Sequence, residues 1–213
     1  MLVSVLTPTC DRPEALGLCK RWFSLQTHKG PMEHIIEHGG DFYDNMANAL
    51  ERASGDLFVI FEDDDYYSPD YVKHLVPRLN IRAPLWGQRW GRLYHLPSGG
   101  YNNKTGQSGP FACTMAWHKS IKDRVLELLK AKEPIKQLYR EVRANITNTP
   151  YMVAMKAMPG KPAIKRNWHT YSHEKFPYLD TDRRVLREWV GEENSRRYLQ
   201  LIHATQKPQQ ADV

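Results

Sequence analysis

Leu57-Phe58-Val59-Ile60-Phe61-Glu62-Asp63-Asp64-Asp65-Tyr66-Tyr67-Ser68-Pro69 decides how this chain is read. A five-residue apolar run, Leu57 to Phe61, ends in four consecutive acids. With Ser54-Gly55-Asp56 before it and polar residues after it, the run predicts a strand buried on both faces. Open α/β sheets take their ligands outside the carboxyl ends of such strands. Adjacent carboxylates repel one another unless positive charge sits among them. A hard cation with oxygen ligands is the guest that fits, and a cation invites a phosphate-bearing partner. The plainer alternative is a solvated loop that caps the next helix. Ser68 as N-cap and Pro69 at the first helical position already serve that helix, so Glu62, Asp63 and Asp64 are left for the metal reading.

Working outward, the first half alternates strand and helix at short spacing. Leu2 to Leu6 predicts a strand, followed by the loop Thr7-Pro8-Thr9-Cys10-Asp11-Arg12-Pro13. Ala15, Leu18, Cys19, Trp22 and Leu25 then recur at helical spacing. His34 to Glu37 predicts a short second strand, and His38-Gly39-Gly40-Asp41 a tight turn or a close approach of backbone to ligand. A helix over Tyr43 to Ala53 buries Met46, Ala49, Leu50 and Ala53, with Gly55 as its C-cap. This alternation predicts an α/β fold with a mostly parallel sheet and helices on its faces.

Beyond the acids, Pro69 to Leu79 predicts a helix interrupted at Pro77. Leu85 to Leu96 and the turn Pro97-Ser98-Gly99-Gly100 predict a hairpin, and Tyr101 to Gly109 a loop. A strand over Phe111 to Trp117 follows, then helices over Ser120 to Lys130 and Pro134 to Ala144. Tyr151 to Met155 predicts the last strand, and two short arginine-rich helices cover Asp182 to Trp189 and Glu192 to Ile202. Residues 1–205 are expected to form a single domain, and residues 206–213 a disordered tail.

The 213 residues include six Trp and eleven Tyr, enough for a substantial core. No run approaches the ~18 apolar residues of a membrane span. The opening Leu2 to Leu6 reads as a strand, not a signal peptide. Cys10, Cys19 and Cys113 have no metal-ligand spacing and cannot all pair, which fits a reducing cytoplasm. A net charge of +6 permits an anionic partner.

Three segments together resemble the family-2 glycosyltransferases of the GT-A, Rossmann-like fold. Strand one running into Pro8-Thr9-Cys10-Asp11-Arg12-Pro13 is similar to the family's opening strand and its proline-threonine-aromatic-asparagine-arginine loop. Asn45 to Leu50 through Ser54-Gly55-Asp56 resembles the helix before the acidic strand, and Phe61 to Asp70 the acidic motif with its aromatic-proline-aspartate sequel. Thr114 to Lys119 is similar to the acceptor-side strand, more loosely. The ordered set is more specific than any one motif.

The resemblance implies a nucleotide-sugar-binding half over residues 1–75 and an acceptor-side half over 76–205, with a small hairpin and C-terminal helices. It implies a nucleoside-diphosphate sugar donor, uridine by default, and Mn2+ or Mg2+ as cofactor. Asp64 takes the metal position, with Glu62 or Asp63 facing the ribose and a metal-bound water; a register shifted by one makes Asp65 the ligand. Thr7, Thr9, Asp11 and Arg12 fall where the family lines the nucleoside and phosphates, and His38, Gly39 and Asn45 join that set. The family's base-reading aspartate is replaced by Glu37-His38-Gly39-Gly40-Asp41. Glu133 and Glu141 are the candidates for the general base, although Glu133 before Pro134 also reads as a helix-N-terminal acid. His169 is the candidate late histidine for metal or pyrophosphate, with His173 behind it.

The C-terminal third is basic through Lys161, Lys165, Arg166, Arg183, Arg184, Arg187, Arg196 and Arg197. Solvated helix faces partnered by Glu188, Glu192 and Glu193 account for this. So does a polyanionic acceptor. The compact chain also resembles small phage-type glycosyltransferases, some of which add sugars to hydroxymethylated pyrimidines in DNA, and that implies a DNA acceptor. Glycan, protein and small-molecule hydroxyls are the rival acceptors. The competing class is a nucleotidyltransferase or nuclease using the acids for two-metal chemistry.

Overall fold

A computed structural model describes residues 1–105, 112–159 and 172–205. In chain order the elements are β1 (Val3–Pro8), α1 (Pro13–Ser24), β2 (Met32–Glu37), α2 (Phe42–Arg52), β3 (Leu57–Ile60), β4 (Tyr66–Tyr67) and α3 (Tyr71–Leu75). Then follow β5 (Leu85–Gln88), β6 (Trp90–His95), β7 (Gly100–Thr105), β8 (Ala116–His118), α4 (Lys122–Lys130), α5 (Leu138–Glu141) and β9 (Ala144–Thr147). The last are β10 (Met152–Lys156), β11 (Tyr178–Leu179), α6 (Arg184–Val190) and α7 (Glu192–Thr205).

The first sheet has the order β2-β1-β3-β8-β5-β9. β1 pairs in parallel with both β2 and β3, β5 pairs in parallel with β9, and β8 runs antiparallel between β3 and β5. The second sheet has the order β11-β7-β6-β10-β4. The β6–β7 hairpin turns at the expected glycine-rich stretch, with Gly99 at φ 75°, but β7 runs over Gly100–Thr105, where the sequence predicts a loop from Tyr101 onward; its pairing with β6 makes it a strand.

Side-chain alternation explains why helices cover both faces of the first sheet. Val3, Val5, Leu57 and Val59 face one cluster with Ala15, Leu18, Cys19 and Trp22 of α1. Leu6, Phe58 and Ile60 face the other, with Met46, Ala49 and Leu50 of α2 and Val125, Leu128 and Leu129 of α4. Burying each of these large side chains contributes roughly 1.5–3 kcal/mol. β3 is buried along its whole length, as its unbroken apolar run predicts.

Several elements differ from the sequence expectation. Pro134 to Ala144 is not one helix. A 3-10 turn (Ile135–Gln137) leads into the short α5, and the chain then extends into β9, paired with β5. Gly55 is not a left-handed cap, because α2 ends on Ala53 in extended conformation. Gly55 is instead a close approach: a Cβ there would lie 2.3 Å from Ser4 Oγ and 2.8 Å from Ser4 N. Ser68 does not cap α3. Gln26, from the end of α1, accepts from Val72 N at 3.0 Å and donates to Ser68 O at 2.9 Å. Leu25 lies past the last turn of α1 and is exposed. β4 has two residues, and its strand character comes from pairing with β10.

Candidate functional site

The acids lie between the two sheets. Glu62, Asp63 and Asp64 follow β3 of the first sheet, and Asp65 immediately precedes β4 of the second. Phe61 anchors the bend by stacking on Tyr67, with ring centroids 3.9 Å apart and planes at 4°. The Tyr67 hydroxyl accepts from Glu62 N at 2.8 Å and donates to Cys113 O at 3.2 Å. The backbone of the acidic turn is thereby pinned from beneath.

The loop after β1 closes over the same turn. Thr9 Oγ1 donates to Asp63 Oδ2 at 2.6 Å. Arg12, buried, donates to Asp64 Oδ2 at 2.9 Å and pairs through its other terminal nitrogen with Asp63 Oδ1. Asp11, exposed just before it, is in the left-handed region at φ 42°. Aspartate tolerates that conformation better than most residues do. Asn45 of α2 ties this loop to the one after β2: its amide donates to Thr9 O and Gly40 O, both at 3.1 Å, and accepts from Gly40 N at 3.0 Å. Asp41 caps α2 by accepting from Tyr43 N and Asp44 N.

On the far side stands a residue that the sequence reading passed over. Asp65 Oδ1 accepts from Met155 N at 2.9 Å, and the Lys156 ammonium lies 3.6 Å from the same oxygen. Asp65 Oδ2 is buried and accepts no hydrogen bond. Lys156 closes an otherwise apolar strand, as Glu62 closes the run before it. That single charge was the available signal, but its partner, Asp65, lies far back in the chain and only the fold reveals it.

Crowding dominates the electrostatics. Burial first, then the Asp64 and Asp63 charges, push the Glu62 carboxyl up to about 7 against the pull of Lys156 and Arg12. Asp63 rises to about 6, because burial and the Asp64 charge outweigh Arg12 and the Thr9 hydrogen bond. Burial holds Asp65 well above the usual carboxylate range. For Lys156, burial works against the charged form, but Asp65, Asp64 and Glu62 outweigh it and the pKa is raised. Arg12 is raised against its own burial by Asp64 and Asp63.

Glu62, Asp64 and Asp65 can each offer an oxygen, all within 4.8 Å of one another. An all-oxygen set with an orphaned buried carboxylate oxygen suits a hard divalent ion such as Mn2+ or Mg2+. Asp63 stands apart from that set, fully engaged by Thr9 and Arg12.

The remaining expected residues are spread more widely. Thr7 is buried and bonded to His34 Nε2 at 2.9 Å, inside the β1–β2–α1 packing. His38 and Gly39 are exposed past β2, with Gly39 at φ 98°. Glu141 is held by two 2.9 Å bonds from Arg124. Glu133 is exposed and accepts from Gln137 at 3.1 Å. His169, with Trp168, Lys161, Lys165 and Arg166, lies outside the described residues, as does the 206–213 tail; His173 is exposed. Among the described residues, no helix is long and apolar enough to cross a membrane.

No family model and no curated protein matches the chain. The fold does match solved structures. S. aureus TarS 1-349 in complex with UDP-GlcNAc is 12% identical with a TM-score of 0.57, over 78% of this chain and 61% of that one. The same protein in complex with UDP is 14% identical with a TM-score of 0.56, over 73% of this chain and 60% of that one. The longer TarS structure matches at 12% identity and a TM-score of 0.55, over 74% of this chain and 37% of that one. This chain therefore spans about 60% of the shorter TarS structures. The likeness is one of fold, the GT-A, Rossmann-like arrangement.

Proposed function

We propose that this chain transfers a sugar from a nucleoside-diphosphate sugar to an acceptor hydroxyl, with Mn2+ or Mg2+ held at the acidic turn. The observation that carries the reading is the convergence of Glu62, Asp64 and Asp65 at the C-terminal end of β3, where open α/β folds take their ligands. The likeness to TarS, whose structures contain UDP and UDP-GlcNAc, supports a uridine donor. When bound, the ion supplies positive charge against the departing diphosphate.

The chain's own residues divide the remaining work. Asp64 is the proposed principal metal carboxylate, with Asp65 and Glu62 completing the set. Asp63, engaged by Thr9 and Arg12, holds the β1 loop against the turn, and Glu62, half-buried, is the acid left to face the ribose. Arg12 and Asp11 stand on the diphosphate side, while His38 and Gly39 leave open backbone beside the nucleoside. Asn45 keeps these two loops in register, and Thr7 supports the strand beneath them. Of the two base candidates, Glu133 is the less encumbered, because Arg124 engages both oxygens of Glu141. His169 is retained as a further ligand for the ion or diphosphate.

A 5-hydroxymethylpyrimidine in DNA is the narrower acceptor reading, supported by the basic C-terminal third. Arg187, Arg196 and Arg197 direct charge to Glu192 and Glu193, which weakens that support. Duplex binding that is negligible at low salt removes the DNA acceptor.

The test of the main reading is nucleoside diphosphate release from a panel of nucleotide sugars in Mn2+, with and without acceptor. Asp64→Asn is expected to slow release roughly a hundredfold with the fold retained. Transfer at the wild-type rate removes Asp64 from the site. Release of pyrophosphate or cleavage of nucleic acid in its place selects the nucleotidyltransferase or nuclease class.

A further inference from the structure

Four acids, Glu62 to Asp65, meet two protein cations, Arg12 and Lys156. With every group charged, the cluster carries two excess negative charges, the charge that one divalent ion neutralises. The two cations are placed differently. Arg12 belongs to the β1 loop and holds Asp63 and Asp64. Lys156 comes from the second sheet and stands against Asp65, a member of the ligand set. Its side chain is only 14% exposed and that of Asp65 is 0% exposed, so solvent screens the pair little. β10 also holds Asp65 from the backbone, through Met155 N. The next residue, Ala157, has φ 60°, a left-handed conformation that an alanine adopts only under strain. The strand thus ends in a strained turn directly after the lysine.

We propose that Lys156 is the second cation of this centre, a fixed ammonium that limits the acidic turn to a single divalent ion and competes with that ion for Asp65. This rests on the metal reading of the turn and adds a positioning residue to it. Phosphoryl chemistry with two metals draws its second positive charge from a second ion. Here β10 supplies that charge from the protein, which favours sugar transfer over the nuclease class.

The test is titration of the full chain with Mn2+ alone, read by the paramagnetic resonance of free Mn2+ and by calorimetry, with near-ultraviolet circular dichroism reporting the fold. Wild type is expected to bind one equivalent. Lys156→Met is expected to bind Mn2+ at least tenfold more tightly or to take up a second equivalent. Lys156→Arg, which keeps the charge, is expected to stay within about threefold of wild type. Where Lys156→Met does not fold, Lys156→Gln takes its place and is expected to bind Mn2+ at least tenfold more tightly than wild type. A wild type that binds no Mn2+ overturns the metal reading and this one with it. A wild type that binds, beside lysine-less variants that bind no more tightly than their references, overturns only the role of Lys156.

Discussion

Arg12 joins stability to chemistry at one position. Its guanidinium is buried against two carboxylates, and a buried pair that loses one partner leaves a charge without compensation. Arg12→Met is expected to destabilise the fold by roughly 3–5 kcal/mol near neutral pH. Asp63 already sits at about 6 in the folded chain, against 3.8 for the free carboxyl. A raised carboxyl favours the folded state on the acid side and costs stability as pH rises. The deficit of Arg12→Met should therefore shrink below about pH 6, and urea denaturation at pH 8 and pH 5.5 compares the two regimes. His34 has the opposite sense. Burial, then the Lys20 charge, bring it down to about 4 from 6.5, and it is bonded to Thr7. The unfolded chain takes this proton below 6.5 and the folded chain holds it off until about 4, so stability drains away on acidification through that window. Measured against His34→Gln, in which the contribution of the acids cancels, wild type should lose stability from pH 7 to pH 4.5. Parallel curves would remove His34 as the source.

At the level of elements, the turn leading into β3 packs on β1 where Gly55 meets Ser4. Ser4 Oγ donates to Glu33 at 2.6 Å and accepts from Gly55 N at 2.9 Å, so the space for a Cβ is already filled. Gly55→Ala is expected to cost about 1–3 kcal/mol by overpacking, read as a lower denaturation midpoint with unchanged slope. The same region also marks what the sequence made legible. The order from β1 to β3 could be read because each element carries its own periodicity or an unbroken apolar run. The acids announced the candidate site by their adjacency alone. β4, β9 and β11 have two to four residues each, and they are strands only because β10, β5 and β7 lie beside them. Gln26 could not be recognised as the cap of α3 for the same reason, since 46 residues separate it from Val72. Lys156 was missed likewise: nothing within its own strand distinguishes a closing lysine that meets an acid from one that meets water.

For the whole molecule, ligand binding should register as stability. Mn2+ together with UDP at about a hundredfold over the dissociation constant is expected to add about 2.7 kcal/mol. For a chain of this size that is a rise in melting temperature of roughly 5–10 °C. Mn2+ with adenosine alone serves as the control, and no rise with any nucleoside diphosphate would leave the donor site without support. The position of the acids also has a mechanical consequence. Glu62 to Asp64 follow β3 of the first sheet, whereas Asp65 is fastened by Met155 and Lys156 to the second. The gap between these carboxylates therefore spans the seam between the two sheets. A remote substitution that wedges this seam is expected to change the spacing of the oxygens, and with it the preference between Mn2+ and Mg2+ at the proposed metal turn, without touching an acid.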